Sequence, residues 1–298
     1  MFKGSIPALI TPFKDGEVDW PAFENLVEWQ VEQGSHGLVP CGTTGECPTL
    51  THDEHMAIIR KCVEVVKKRI PVIAGTGSNS TAEAIELTRG AKEAGADGSL
   101  SVVPYYNKPT QEGMIAHFTA IHDAVDLPMV LYNIPGRCVV DMADETIAAL
   151  ARLPGIVGVK DATGDLSRPA KLAEMVEGDF CQLSGNDDSV GAFMEQGGDG
   201  IITVVGNIAP RMNADMIEAW ERGDVEAFNT LVEKLSPLAH DLFCESNPAP
   251  VKYAASRLGL CRDEVRLPLV KASAAARAKV DAAMAHAGLG ADSKVSAA

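Results

Sequence analysis

The chain has 298 residues, 46% hydrophobic and 22% charged, a balance that excludes a disordered, collagen-like or small disulfide-stapled protein. Forty-one acidic against 26 basic side chains give a net charge of −15, which disfavours nucleic acid and anionic membranes as partners. The seven cysteines are dispersed and form no CxxC pair, so neither a disulfide framework nor a zinc site is signalled. Residues 1–11 lack the basic and long apolar stretches of a signal peptide, and no run approaches membrane-spanning length. A reduced, cytoplasmic protein is expected. Aromatic residues make up only 5%, which predicts a core of Ala, Val, Leu and Ile and directs attention to the four tyrosines.

Short apolar runs fall, in chain order, at residues 6–10, 37–39, 72–74, 100–103, 129–132, 156–160, 181–183 and 201–205. Their starts lie 20 to 35 residues apart, room each time for one helix and two loops. The runs are rich in Val, Ile and Leu, as parallel strands buried on both faces require. In the first interval Phe23, Leu26, Val27 and Val31 share one helical face. Thr51–Glu54 and Ser80–Glu83 read as capping boxes, and Gly34, Gly95 and Gly197 stop three helices. After Gly223 the strand rhythm ends; residues 224–241, 248–258 and 270–287 read as helices, and 288–298 as a frayed tail. Eight strands alternating with eight helices predict an α/β fold, a (β/α)8 TIM barrel over 1–223, with a C-terminal helical extension over 224–298. The competing doubly wound sheet lacks its glycine-rich fingerprint after the first run.

In such a barrel chemistry sits at the C-terminal ends of the strands. The sixth run ends in Lys160, which by period-two alternation shares a face with Ile156 and Gly158, the glycine leaving space one layer below. A lysine there either snorkels into water or, when desolvated, becomes a neutral amine able to form a Schiff base with a carbonyl. The fifth run ends in Tyr132, one strand away, with Arg137 in the following loop as a clamp for a carboxylate. Tyr105 and Tyr106 end the fourth run, so three of four tyrosines sit at two adjacent strand ends. After the second run, 42–46 reads GTTGE, a tight turn whose N–H groups are able to face an anion. Other signals are weaker: Gly75-Thr-Gly77 lacks the phosphate-loop lysine, His52 and His55 lack zinc-protease spacing, and Asp187-Asp188 reads as helix-start carboxylates. No metal site is expected.

Taken together, GTTGE (42–46), AGTG (74–77), PYYNKP (104–109), YNIPGR (132–137), VKDATGD (159–165), LSGND (183–187) and ESNPAPVK (245–252) resemble the pyruvate-dependent class I aldolase family, most closely its dihydrodipicolinate synthase branch. The resemblance runs from about residue 4 to 270. It implies condensation of pyruvate with L-aspartate 4-semialdehyde to 4-hydroxy-tetrahydrodipicolinate, in lysine and diaminopimelate biosynthesis. It implies no cofactor, only a covalent Schiff base with pyruvate, and a homotetramer built as a dimer of dimers. By position, Lys160 matches the Schiff-base lysine and Tyr132 the proton-relaying tyrosine. Thr44 matches the hydroxyl linking Tyr132 to Tyr106, which in the family reaches in from a neighbouring subunit. The backbone at Thr43 and Thr44 is implied to hold the pyruvate carboxylate, Arg137 the carboxylate side of the aldehyde, and Gly185 and Ile202 to line the pocket. His52, His55, Asn79, Glu83 and Tyr105 match the site through which lysine-inhibited members bind free lysine. One departure is local: Cys47-Pro48 follows GTTGE where many members have Ser-Ala or similar. The rival within the family is a sugar-acid aldolase, such as N-acetylneuraminate lyase or a 2-keto-3-deoxy acid aldolase; Arg137 and the double tyrosine favour the synthase. A catalytically silent lysine-binding barrel is the remaining alternative.

Overall fold

Seven of the eight apolar runs become strands of one parallel sheet in a computed structural model that describes residues 2–290. They are β1 (Gly4–Pro7), β4 (Ile73–Gly75), β5 (Gly98–Val102), β6 (Met129–Asn133), β7 (Ile156–Asp161), β8 (Cys181–Ser184) and β9 (Gly200–Thr203), in the order β1-β9-β8-β7-β6-β5-β4. A small hairpin, β2 (Phe13–Lys14) and β3 (Glu17–Val18), follows the first strand.

The eighth run, 37–39, closes the circle by single bridges, Val39 to Ala8 and Leu38 to Val72. Val39 donates to the Pro7 carbonyl and accepts from Leu9, while Leu38 accepts from Ile73, each at 2.9 Å. Prolines at 7, 40 and 71 remove N–H donors where this ladder would otherwise lengthen, which explains why the pairing stays short.

The intervening helices are α1 (Trp20–Glu32), α2 (His52–Val66), α3 (Thr81–Glu93), α4 (Gln111–Ala124), α5 (Pro135–Cys138), α6 (Asp144–Leu150), α7 (Arg168–Met175), α8 (Val190–Glu195) and α9 (Pro210–Glu221). The box at Thr51 forms in full, with Thr51 N–H donating to the Glu54 carboxylate at 2.8 Å. At Ser80 only half forms: the hydroxyl accepts from Glu83 N–H at 3.5 Å, but the Glu83 carboxylate is drawn to Ser78 and His52 instead. Gly34, Gly95 and Gly197 have positive φ after α1, α3 and α8, the backbone that the helix stops require.

Side chains sort into an inner and an outer core. Ile6, Val39, Ile73, Leu100, Val130, Leu183 and Ile202 fill the barrel, all medium-sized and non-aromatic. Met129, Leu131, Ile156 and Val159 face the helices. Ile156 is therefore on the opposite face from Lys160, contrary to the simple alternation. The register between β6 and β7 slips between Met129 and Val130, so one extra residue, Val157, enters the inner layer.

Beyond α9 come α10 (Val225–Asp241), α11 (Ala249–Arg257) and α12 (Ala274–Ala287). The last helix starts four residues later than the pattern predicts, because Ser273 caps it by accepting from Ala276 N–H at 3.1 Å. Leu235, Val251 and Val280 share one buried cluster with Ile10, Leu26 and Ile201. Of the expected frayed tail, Gly288 is the left-handed cap of α12 and residues 291–298 lie outside those described.

Candidate active site

Adjacent parallel strands set the central pair. Tyr132 on β6 and Lys160 on β7 are register partners, both 6% exposed, and the Lys160 Nζ lies 4.2 Å from the centre of the tyrosine ring. Burial pushes the amine down to about 7; the carboxylate of Asp187 opposes the shift and the Arg137 guanidinium adds to it. Burial likewise pushes the Tyr132 phenol up to about 12, against a hydrogen bond with the Thr43 side chain. A partly neutral amine thus stands beside a phenol that keeps its proton.

Two glycines shape this pocket differently from the simple reading. Gly158 does not leave a void below the lysine: the Cys181 sulfur occupies that space, and a Cβ at 158 would collide with it. Gly185 does make room, because a Cβ there would sit 3.1 Å from the Lys160 Cε and 2.7 Å from the Ala162 Cβ.

The GTTGE turn is wound tightly, with Gly45 N–H on the Gly42 carbonyl at 3.0 Å and Glu46 N–H on Thr43 at 3.1 Å. The hydroxyl it turns toward Tyr132 comes from Thr43 and not, as the resemblance implies, from Thr44. Thr43 is the one that meets Tyr132, whereas the Thr44 hydroxyl accepts from Asn247 Nδ2 at 2.9 Å. Glu46 turns away from the site altogether. Its carboxylate receives the Lys252 ammonium at 2.6 Å and the Arg266 N–H at 2.9 Å, with Lys252 fully buried over the Phe13 ring.

Arg137 lies on α5, its Nη2 donating to the Asn247 carbonyl at 3.4 Å. Ile202 is buried in the barrel core beside Tyr132. Tyr106 is not brought to this pocket within the chain: it is 89% exposed, on a positive-φ backbone.

The five residues matched to a lysine effector site do gather. His52, His55, Glu83 and Tyr105 line a cavity of about 450 Å³ together with Thr43 and Arg137, and Asn79 donates to the Tyr105 carbonyl at 3.1 Å. His52 Nε2 meets Glu83 at 2.8 Å, and His55 Nε2 meets the Gly75 carbonyl at 2.7 Å. Burial lowers the His55 imidazole below its usual value, and the Ser78 and His52 side chains hold the Glu83 carboxyl below its own. Cys47 and Pro48 form part of the same wall.

Two further residues of this region were not legible as such in the sequence. Asp187 is buried, accepting from Val204 N–H at 2.8 Å and from the Thr203 hydroxyl, and its charge acts on Lys160. Asn247 joins Thr44, 203 residues away, to Arg137, 110 residues away, and its Oδ1 is buried without a partner among the described residues. Neither carries a local signal, since each role exists only through tertiary contacts. Among the described residues no cluster of His, Cys, Asp or Glu is arranged to hold a metal ion, and no helix is long and apolar enough to cross a membrane.

Known proteins match this chain along nearly its full length. The model of the Dihydrodipicolinate synthetase family covers residues 1–287. The 4-hydroxy-tetrahydrodipicolinate synthase of Rhodospirillum centenum is 60% identical over 289 residues, 97% of this chain and 99% of that protein. A chloride-inhibited dihydrodipicolinate synthase from Acinetobacter baumannii, solved in complex with pyruvate, is 47% identical with a TM-score of 0.94, covering 97% of this chain and 100% of the other. The enzyme from Cyanidioschyzon merolae with lysine bound is 41% identical with a TM-score of 0.94, covering 97% and 99%. Matches of this extent leave one assignment: the chain belongs to the Dihydrodipicolinate synthetase family.

Proposed function

We propose that this chain is a 4-hydroxy-tetrahydrodipicolinate synthase that condenses pyruvate with L-aspartate 4-semialdehyde through a Schiff base on Lys160. The observation that carries the reading is the buried Lys160 amine, held near 7 beside Tyr132 at the mouth of a parallel barrel. Its neutral form attacks the ketone carbon of pyruvate, and loss of water leaves an iminium. That cation acidifies the adjacent methyl group, which gives up a proton to form an enamine. The enamine carbon bonds to the aldehyde carbon, and the aldehyde oxygen takes up a proton. The amino group of the second substrate then adds to the iminium carbon, the ring closes, and the Lys160 amine leaves. One water is released overall.

The proton movements need a relay and not a strong base. Tyr132 is placed to hand protons to and from the nitrogen, and Thr43 is the neighbouring hydroxyl. In this reading Thr43 takes the linking role toward Tyr106 of a neighbouring subunit, and Thr44, fixed by Asn247, presents the turn to the pyruvate carboxylate. Arg137 faces the carboxylate of the aldehyde, and Gly185 and Ile202 bound the pocket. The assembly is a homotetramer in the cytoplasm, and free lysine binds at His52, His55, Asn79, Glu83 and Tyr105 as an inhibitor. No further cofactor enters these steps.

Borohydride reduction in the presence of pyruvate, followed by peptide mass mapping, tests the mechanism. The expected result is a single pyruvate-derived adduct on Lys160; labelling elsewhere, or none, overturns it. A parallel assay with aspartate semialdehyde and N-acetylneuraminate checks the substrate, faster cleavage of the sugar acid being the contrary outcome.

A further inference from the structure

We propose that Arg168 is a positioning residue that fixes the spacing of Lys160 and Tyr132 from outside the barrel. The inference rests on the Schiff-base reading of Lys160. It starts from β6 and β7, where Tyr132 pairs with Lys160 and the next residues, Asn133 and Asp161, pair with each other. Alternation turns those next residues to the outer face, where both are buried. One guanidinium holds them there. Arg168, buried at the start of α7, donates from Nη1 to Asp141 Oδ1 at 2.9 Å and lies 3.6 Å from Asp161 Oδ2.

The grip reaches β6 through a shared atom. Asp141 Oδ1 also accepts from Asn133 Nδ2 at 2.7 Å, and Asn133 Oδ1 accepts from Met142 N–H at 3.1 Å. Arg168 itself donates to the Met142 carbonyl and, through Nε, to Asp144 at 2.7 Å, which ties the cluster to α6. Asp161 Oδ1 is occupied by the Thr163 hydroxyl at 2.6 Å and the Thr163 N–H at 2.8 Å. Its Oδ2 is buried without a hydrogen-bond partner among the described residues and lies within ion-pair distance of Arg168. A planar fork bearing on both strands one residue beyond the chemistry restrains their relative slide, which a point charge on a flexible stem does not do. Displacing reacting groups by an ångström costs orders of magnitude in rate, so this restraint belongs to the reaction as well as to the fold.

The test is the rate of imine formation, followed by borohydride quenching at timed intervals after mixing with pyruvate. Arg168→Met should slow labelling of Lys160 by roughly tenfold to a hundredfold. Val280→Ala, a core truncation in α12, should lose a comparable amount of thermal stability yet label within about twofold of the parent. Asp141→Asn, a milder change that weakens the contacts of this carboxylate with Arg168 and Asn133 but leaves those of Arg168 with Asp144 and Asp161, should slow labelling by about threefold. The clamp is overturned if folded Arg168→Met labels at the parental rate, or if Val280→Ala slows equally. Should Arg168→Met not fold, a parental rate in Asp141→Asn overturns it. A parent chain that labels at no rate on Lys160 removes the Schiff-base reading itself, and the clamp with it.

Discussion

Lys160 is an amine kept where water would serve it better, and that has a measurable sign. Between about 7 and the ordinary lysine value of 10.5 the unfolded chain binds a proton there that the folded chain does not. Stability therefore rises with pH across that window, and the penalty is fully present below 7. Lys160→Met should abolish activity while raising stability at pH 7 by roughly 1–3 kcal/mol, the gain shrinking toward pH 9. Urea unfolding at the two pH values checks this, and a less stable Met variant, or an unchanging gap, contradicts it. Lys160 and Tyr132 were legible because strand ends in a barrel line one opening, even though alternation counted from Ile156 fails at the bulge. The order of the two threonines was not, because a tight turn presents either one and only the contacts of Asn247 and Tyr132 choose between them.

At the level of elements, local rules held where local partners were enough. Thr51 and Glu54 cap each other as their spacing dictates, whereas Glu83 leaves its box for Ser78 in the preceding loop and His52 of α2. The bulge at Val157 likewise has no sequence mark, since it answers to the packing of β6. Glu46 is the clearest case of an element set by distant chain. It sits at φ 57 in the turn, its carboxylate held by the Lys252 ammonium of α11 and the Arg266 N–H. Lys252→Met alone leaves a buried carboxylate and should cost about 3–5 kcal/mol, whereas Lys252→Met with Glu46→Gln should recover a large part of it. Thermal unfolding of the single and double variants measures both terms; additive losses would show that the pair is not coupled.

Over the whole molecule, the rhythm of eight apolar runs was enough to foresee a closed barrel, and the end of that rhythm after Gly223 marked where helices take over. We propose this boundary as the division between catalytic barrel and helical extension. Tyr106 stands almost wholly out of the chain that bears it, and we propose that it completes the site of a neighbouring copy. The effector reading belongs to this scale too, since His52, Glu83 and Tyr105 share one cavity with Thr43 and Arg137. Added lysine should depress the initial rate in a saturable manner; a flat rate against lysine concentration removes the proposal.

The short pairing at 37–39 gives the barrel a seam, among the described residues the one place where its wall is joined by single bridges and not by a ladder. The GTTGE turn leaves from that seam, so the wall alone is a poor foundation for it. Thr44, Glu46 and the Arg137 loop are instead tied to Asn247, Lys252 and Arg266, all from the far end of the chain. The segment 247–266 thus acts as a buckle across the opening: it fastens a turn made some two hundred residues earlier, and that turn is held only once this segment has folded against it.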